Sequence, residues 1–107
     1  MVHAGYLEQF PTAGLTGKYT CAEDFYLRAR EDAYLAGGIE NGMIVAGHTP
    51  TLSKDYMMYN GGLVYQHYDP QKNCLYYDID CGCSYRTVRA NARLACLCAE
   101  TGAIYYL

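Results

Sequence analysis

The chain has no tryptophan and only two phenylalanines; its aromatic content is almost entirely tyrosine, thirteen residues of it. Tyrosine suits half-buried sheet surfaces and interfaces, so most of the thirteen are expected in sheet packing and some against a further layer. No apolar run approaches the roughly 20 residues of a membrane span, which argues against a membrane partner. There is no basic stripe either: 8 Lys and Arg stand against 11 Asp and Glu, a formal charge of −3, which argues against nucleic acid as a main partner. The opening MVHAGYLEQF lacks the basic and apolar regions of a signal peptide, so a cytoplasmic protein is expected.

What is present suffices for one domain. At 107 residues with 51% hydrophobic content, the chain can bury about two thirds of its unfolded surface, and disorder is excluded. Six cysteines could signal a disulfide framework, but Cys81 and Cys83 in DIDCGCSY and Cys96 and Cys98 in RLACLCAE are spaced by two. That spacing puts each pair on one face of a strand, as small buried hydrophobes in a reducing compartment. A zinc site built from C-x-x-C knuckles is the poorer match.

Thr20-Cys21-Ala22-Glu23 has the form of a capping box, and a helix is expected from there to about Ala36, ended by Gly37-Gly38. Ala22, Phe25 or Tyr26, Ala29 and Ala33 would form its buried face, with Asp24, Arg28 and Asp32 as a solvated charge ladder. Met43 to Ala46 has the length and β-branched content of a buried strand. Leu63 to Tyr68 and Cys74 to Asp80 flank the turn cluster Asp69-Pro70-Gln71-Lys72-Asn73, and read as a hairpin. Arg93 to Cys98 and Ala103 to Leu107 flank Glu100-Thr101-Gly102 as a second. Residues 49–62 and 84–92 read as loops. One helix, one strand and then a four-strand antiparallel run make an α+β pattern.

The stretch MIVAGHTPT, Met43 to Thr51, ends its strand in a glycine, a histidine and a proline. Gly47 permits a sharp turn or a close approach, and Pro50 keeps Thr49 out of the helical region. His48 is thereby held just beyond a strand end, where binding sites of α/β sheets gather. The plain structural alternative is a loop histidine.

Several segments follow one another in an order that resembles a known family: Val2-His3-Ala4-Gly5, Leu27-Arg28-Ala29-Arg30-Glu31-Asp32, Gly47-His48-Thr49-Pro50-Thr51, Ile79-Asp80-Cys81-Gly82-Cys83-Ser84-Tyr85, Arg93-Leu94-Ala95-Cys96-Leu97 and Glu100-Thr101-Gly102. Across nearly its whole length the chain is similar to the C-terminal half of a calcineurin-like metallophosphoesterase, in the branch of bacterial serine/threonine protein phosphatases and symmetrical diadenosine tetraphosphatases. The resemblance implies residues 1–107 as a single partial domain, the C-terminal portion of a four-layer α/β/β/α sandwich. It implies a dinuclear site of divalent manganese, iron or zinc that activates a water for in-line attack at phosphorus. Substrates would be phosphorylated proteins or small phosphoesters. His3 matches the histidine of the family's V-H-[AG]-G block and His48 that of its G-H-x block, so both would bind one metal through neutral imidazoles. Arg30 occupies the arginine slot of the L-W-x-R-E pattern, with Arg28 where tryptophan is usual, and would face the phosphate; the plain alternative is a surface arginine. Tyr85 stands where the family has an aromatic residue near the substrate, with simple loop packing as the alternative.

The family's D-x-H, G-D-x-x-D and G-N-H blocks do not occur in these 107 residues. By resemblance they supply every ligand of the first metal, the bridging aspartate and the group that protonates the leaving oxygen. A tight transition-metal site wants three or four protein ligands, so the chain by itself is expected to be a weak half-site and not a competent phosphatase. Of the other polar residues, Asp80 is expected to fix a turn, His67 to be structural or exposed, and Asp78, out of phase with Leu75, Tyr77 and Ile79, to face solvent. Three functions compete: a metal-dependent phosphoesterase portion completed by an N-terminal half, a non-catalytic association module on the same half-fold, and, last, a small zinc module. Bare sheet faces would lead the chain to pair with that missing N-terminal half or with itself.

Overall fold

The protein is described here by a computed structural model that covers residues 1–10, 15 and 17–107. The central apolar run forms β1, Gly42–Ala46. β2, Tyr65–Asp69, and β3, Cys74–Asp78, form the expected antiparallel hairpin, and β1 joins it alongside β3 in parallel, giving a mixed sheet of order β1-β3-β2. Asp69 Oδ1 accepts from the Gln71 N–H at 2.8 Å and Asn73 takes a φ of 50°, the turn chemistry the sequence promised. The second hairpin, β4 (Ala95–Leu97) with β5 (Ile104–Tyr106), does not extend that run. It forms its own two-stranded antiparallel sheet, closed by Gly102 at a φ of 72°.

The result is a small α+β domain in which both faces of the mixed sheet are covered. Ile44, Ala46, Cys74 and Tyr76 pack toward the helices, against Phe25, Ala29, Ala33 and Tyr34. Val45, Leu75, Tyr77 and Ile79 point the other way, onto Val64, Cys81 and the inward side chains of β4 and β5. The order helix, sheet, sheet follows from these two clusters.

The expected helix to Ala36 is broken. α1, Ala22–Arg28, is the main helix; Ala29 is extended with ψ of 142°; and a single turn, α2, Asp32–Leu35, follows. Neither glycine nor proline causes the break. The Tyr26 carbonyl, which an unbroken helix would offer to the Arg30 N–H, instead accepts from the Ala4 N–H at 2.9 Å. Docking of the N-terminal segment therefore ends α1. Gly5 makes that docking possible, because a Cβ there would sit 2.9 Å from both Ala33 Cβ and Phe25 Cε1. The capping box is also displaced: Cys21 is the N-cap without a side-chain bond, while the Asp24 carboxylate accepts from the Thr20 N–H and hydroxyl at 2.9 and 3.2 Å. Arg28 pairs with Asp24 as expected, but Asp32, beyond the break, takes Lys18 and the Tyr19 hydroxyl instead.

Among the described residues, residues 2–5 cap the free edge of β1. The Val2 N–H donates to the Val45 carbonyl at 3.0 Å, and the Gly47 N–H donates to the His3 carbonyl at 2.8 Å. The cysteine expectation is corrected too: only Cys96 of the two C-x-C pairs lies in a strand, and it is exposed, while Cys81 is buried beside Gly82; all six thiols are free. Among the described residues no three His, Cys, Asp or Glu side chains converge on a common metal position.

Asp78 is a further correction. It is 0% exposed, because the face opposite Leu75 and Tyr77 is also core rather than solvent. Its Oδ1 accepts from the Asp80 N–H at 2.9 Å, while Oδ2 is buried with no partner. Burial pushes its carboxyl from 3.8 up to about 8, only partly opposed by the Asp80 N–H. The folded state thus holds a proton that the unfolded chain has released, so stability is fullest below the unfolded value and falls as pH rises toward about 8. Denaturant titrations across that range should show Asp78→Asn progressively more stable than the parent as pH rises, by several kcal/mol at the alkaline end. A difference that stays constant with pH contradicts a buried neutral carboxyl.

Candidate functional site

Two segments far apart in the chain meet beyond the C-terminal end of β1. The hydrogen bond from Gly47 to His3 fixes the two backbones side by side, and the imidazoles then face one another. His3 Nε2 lies 3.0 Å from His48 Nδ1, with ring centroids 4.8 Å apart. His67 is elsewhere, half-buried on β2 and packed at a tilt against Tyr34 with ring centroids 4.7 Å apart, which accords with its expected structural role.

The residue that carries backbone strain here is His48, with a φ of 77°. The sequence pointed to Gly47 for unusual geometry, yet Gly47 does not take a positive φ, and a Cβ on it would find only ordinary contacts at 3.8 Å or more. A left-handed histidine costs of order 1 kcal/mol and is held only where surrounding structure over-determines it. Here Thr49 and Thr51 on its C-terminal side are fully buried; the Thr51 N–H donates to the Asp80 carbonyl, and the Thr51 carbonyl accepts from the Asn60 and Gly62 N–H groups.

The surroundings of the His48 ring disfavour its charged form. Burial, then the Arg30 guanidinium, then His3 hold it below its ordinary value, while Asp80 pulls weakly the other way. In the ligand-free pair one ring nitrogen must donate and the other accept. The same separation suits a second use: two metal–nitrogen bonds of about 2.0–2.2 Å at a right angle leave the nitrogens roughly 3 Å apart. The donor pair fits one edge of a metal's coordination sphere. The described residues bring no third ligand beside it.

Next to this pair is an open cleft of about 670 Å³, whose lining includes His48, Arg30, Tyr56, Asp80, Tyr85 and Arg89. The break after α1 is what delivers Arg30 to it. The guanidinium stacks over the Tyr56 ring at 4.5 Å and reaches the Thr49 hydroxyl at 3.4 Å, with no carboxylate paired to it among the described residues. Glu31, its neighbour, accepts from the Met57 N–H at 3.2 Å, so the 49–62 loop is tied to the same break. Tyr85 lies half-exposed at the cleft wall, on a single 3-10 turn, Cys83–Tyr85, that Gly82 initiates with a φ of 74°. Asp80 fixes that turn, as expected, through Oδ1 accepting from the Gly82 N–H at 3.0 Å, and also lines the cleft.

The structure thus brings His3 and His48 together and places His48, Arg30 and Tyr85 around one cleft. Sequence reasoning missed Tyr56, Lys54 and Arg89, all in segments read only as loops. The available signal was their composition: basic residues and tyrosines together in each loop, Lys54 and Tyr56 in one, Tyr85 and Arg89 in the other. Comparison with protein-family models, with curated proteins and with solved structures finds no match to this chain.

The strained histidine gives a direct test. His48→Ala and His48→Gly both lose the imidazole, but only glycine relieves the positive φ. Thermal unfolding should find the glycine variant about 1 kcal/mol more stable than the alanine variant. An alanine variant equal to or more stable than the glycine variant contradicts the left-handed conformation at this position.

Proposed function

We propose that this chain is the histidine-bearing half of a metal-dependent phosphoesterase, similar to the calcineurin-like metallophosphoesterases, with residues 1–107 forming one portion of their four-layer sandwich. The observation that carries the reading is the convergence of His3 and His48, 3.0 Å apart, at the mouth of a cleft holding Arg30. Both residues were singled out by their motifs, and the docking that joins them ends α1 and turns Arg30 toward the same place. The sheet-on-sheet packing of the domain is consistent with such a portion, with the outward helical layer supplied elsewhere.

In this reading His3 and His48 hold one divalent ion through neutral imidazoles, and Arg30 binds a phosphoryl oxygen by charge-assisted hydrogen bonds while Tyr56 keeps its guanidinium plane in place. Tyr85 forms a wall against the substrate's leaving portion. A bound divalent ion would supply charge neutralisation and water activation at the phosphoryl group. Two imidazoles are too few for tight binding, so the remaining ligands come from polypeptide outside these residues, an N-terminal half or a second copy. The substrate is a phosphorylated protein or small phosphoester and the setting is cytoplasmic.

A second reading, a non-catalytic association module, is favoured by one observation. The outward face of the β4–β5 sheet presents Leu94, Tyr105 and Leu107 to solvent, and the segment 103–107 carries no charge. Under that reading the imidazoles do not matter to binding.

Manganese titration calorimetry separates the two, because this harder ion does not favour the free thiols. The metal reading expects one weak site per chain, abolished in His3→Ala and in His48→Ala alike, and no manganese-dependent hydrolysis of an aryl phosphate by the chain alone above the His48→Ala control. Binding that ignores both substitutions overturns it, and so does an absence of binding, which favours the association module. Turnover lost in His48→Ala would show that the chain holds more of the ligand set than proposed.

A further inference from the structure

The eight lysines and arginines divide into two groups. Lys18 and Arg28 are paired with Asp32 and Asp24; Lys72 donates to the Ala36 and Gly37 carbonyls; Arg93 donates to the Asn91 carbonyl. Arg30, Lys54, Arg86 and Arg89 find neither a carboxylate nor a carbonyl among the described residues. Three of these four, Arg30, Lys54 and Arg89, line the same cleft. Two carboxylates share the cleft, Asp55 accepting from the Ser53 hydroxyl and Asp80 from the Gly82 N–H, and neither is ion-paired with these cations among the described residues. In a chain of formal charge −3, three cations against two carboxylates still leave this one concave place with a positive excess, which focuses the potential there.

Arg89 is also held in place. Its N–H and that of Val88 both donate to the Tyr85 carbonyl at 2.9 Å. Farther along the same loop, the Asn91 side chain donates to the Gly61 carbonyl at 3.0 Å, and Gly62 approaches the Asn91 carbonyl so closely that a Cβ would lie 2.3 Å from it. The loop carrying Arg89 is therefore locked to the loop carrying Lys54 and Tyr56. A cleft of about 670 Å³ is far larger than one phosphate needs and lies in the range that holds organic ligands.

We infer that the cleft binds a ligand with two anionic groups, one phosphoryl group at Arg30 beside the histidine pair and a second at Arg89, with Arg89 the residue that selects for the second group. The inference rests on the phosphoryl-binding role of Arg30 given above and extends it to a residue outside every motif that carries the resemblance. Lys54 adds charge at the rim but, as a flexible point charge, less direction than the planar guanidinium.

The test is anion binding in metal-free buffer at fixed ionic strength, so that failure of the metal reading cannot be mistaken for failure here. Orthophosphate and tripolyphosphate are titrated against the parent, Arg89→Gln, Arg30→Gln and Arg86→Gln chains. Arg89 and Arg86 are exposed and side-chain partners are absent for both among the described residues, so neither substitution threatens folding. The expected result is tripolyphosphate bound about tenfold or more tighter than orthophosphate, in keeping with one additional charge-assisted contact. Arg89→Gln removes that preference with orthophosphate binding unchanged, Arg30→Gln weakens both anions, and Arg86→Gln, the same charge change outside the cleft, alters neither. Equal affinity for the two anions overturns the inference. So does a loss in Arg86→Gln as large as in Arg89→Gln, which would mean general surface attraction.

Discussion

The docking of residues 2–5 between the edge of β1 and the end of α1 is the constraint on which the rest of the site depends. One hydrogen bond, from the Ala4 N–H to the Tyr26 carbonyl, removes the acceptor that a continuing helix would need. The helix stops, Ala29 becomes extended, and Arg30 is sent toward the cleft instead of around the helix surface. The neighbouring bond from the Gly47 N–H to the His3 carbonyl brings a nitrogen of each imidazole within 3.0 Å of the other. Gly5 allows both, since any side chain there would displace Ala33 or Phe25, each buried. A single backbone docking event thus places the metal-ligand candidates and the candidate phosphate-binding arginine at once.

Two features at that junction cost stability. His48 holds a left-handed backbone that glycine, one position earlier, would have adopted at no cost. Asp78, on the adjacent strand, keeps an unpartnered oxygen in the core. Both lie at the C-terminal ends of β1 and β3, where the cleft opens. The stability lost there is offset by the packing of both faces of the mixed sheet, which buries Ile44, Ala46 and Tyr76 on one side and Tyr77 and Val64 on the other.

What the sequence disclosed followed from local chemistry. Both hairpins were legible because Asp69, Asn73 and Gly102 are turn residues whose preferences do not depend on distant contacts. Of the buried positions expected from spacing in the helical segment, Phe25, Ala29 and Ala33 are buried and Ala22 is half-buried. The break at Ala29 was not legible, because its cause lies at Ala4, and no local propensity marks it. Asp78 was misplaced because alternation shows which residues share a face but not whether a second layer covers the other. His3 and His48 were legible as a pair through their motifs, whereas Arg89 and Tyr56 had only the composition of their loops to mark them, because their importance comes from two loops meeting across the cleft.

The central claim is that His3 and His48 act together as neighbouring ligands of one metal ion. The chain has three histidines, and His67, packed under Tyr34, serves as an internal control. Imidazole proton resonances followed during addition of substoichiometric manganese report which rings approach the paramagnetic ion. The account predicts that the His3 and His48 signals broaden together at the lowest additions while His67 stays sharp. Broadening of only one of the pair, or of all three rings alike, would contradict it.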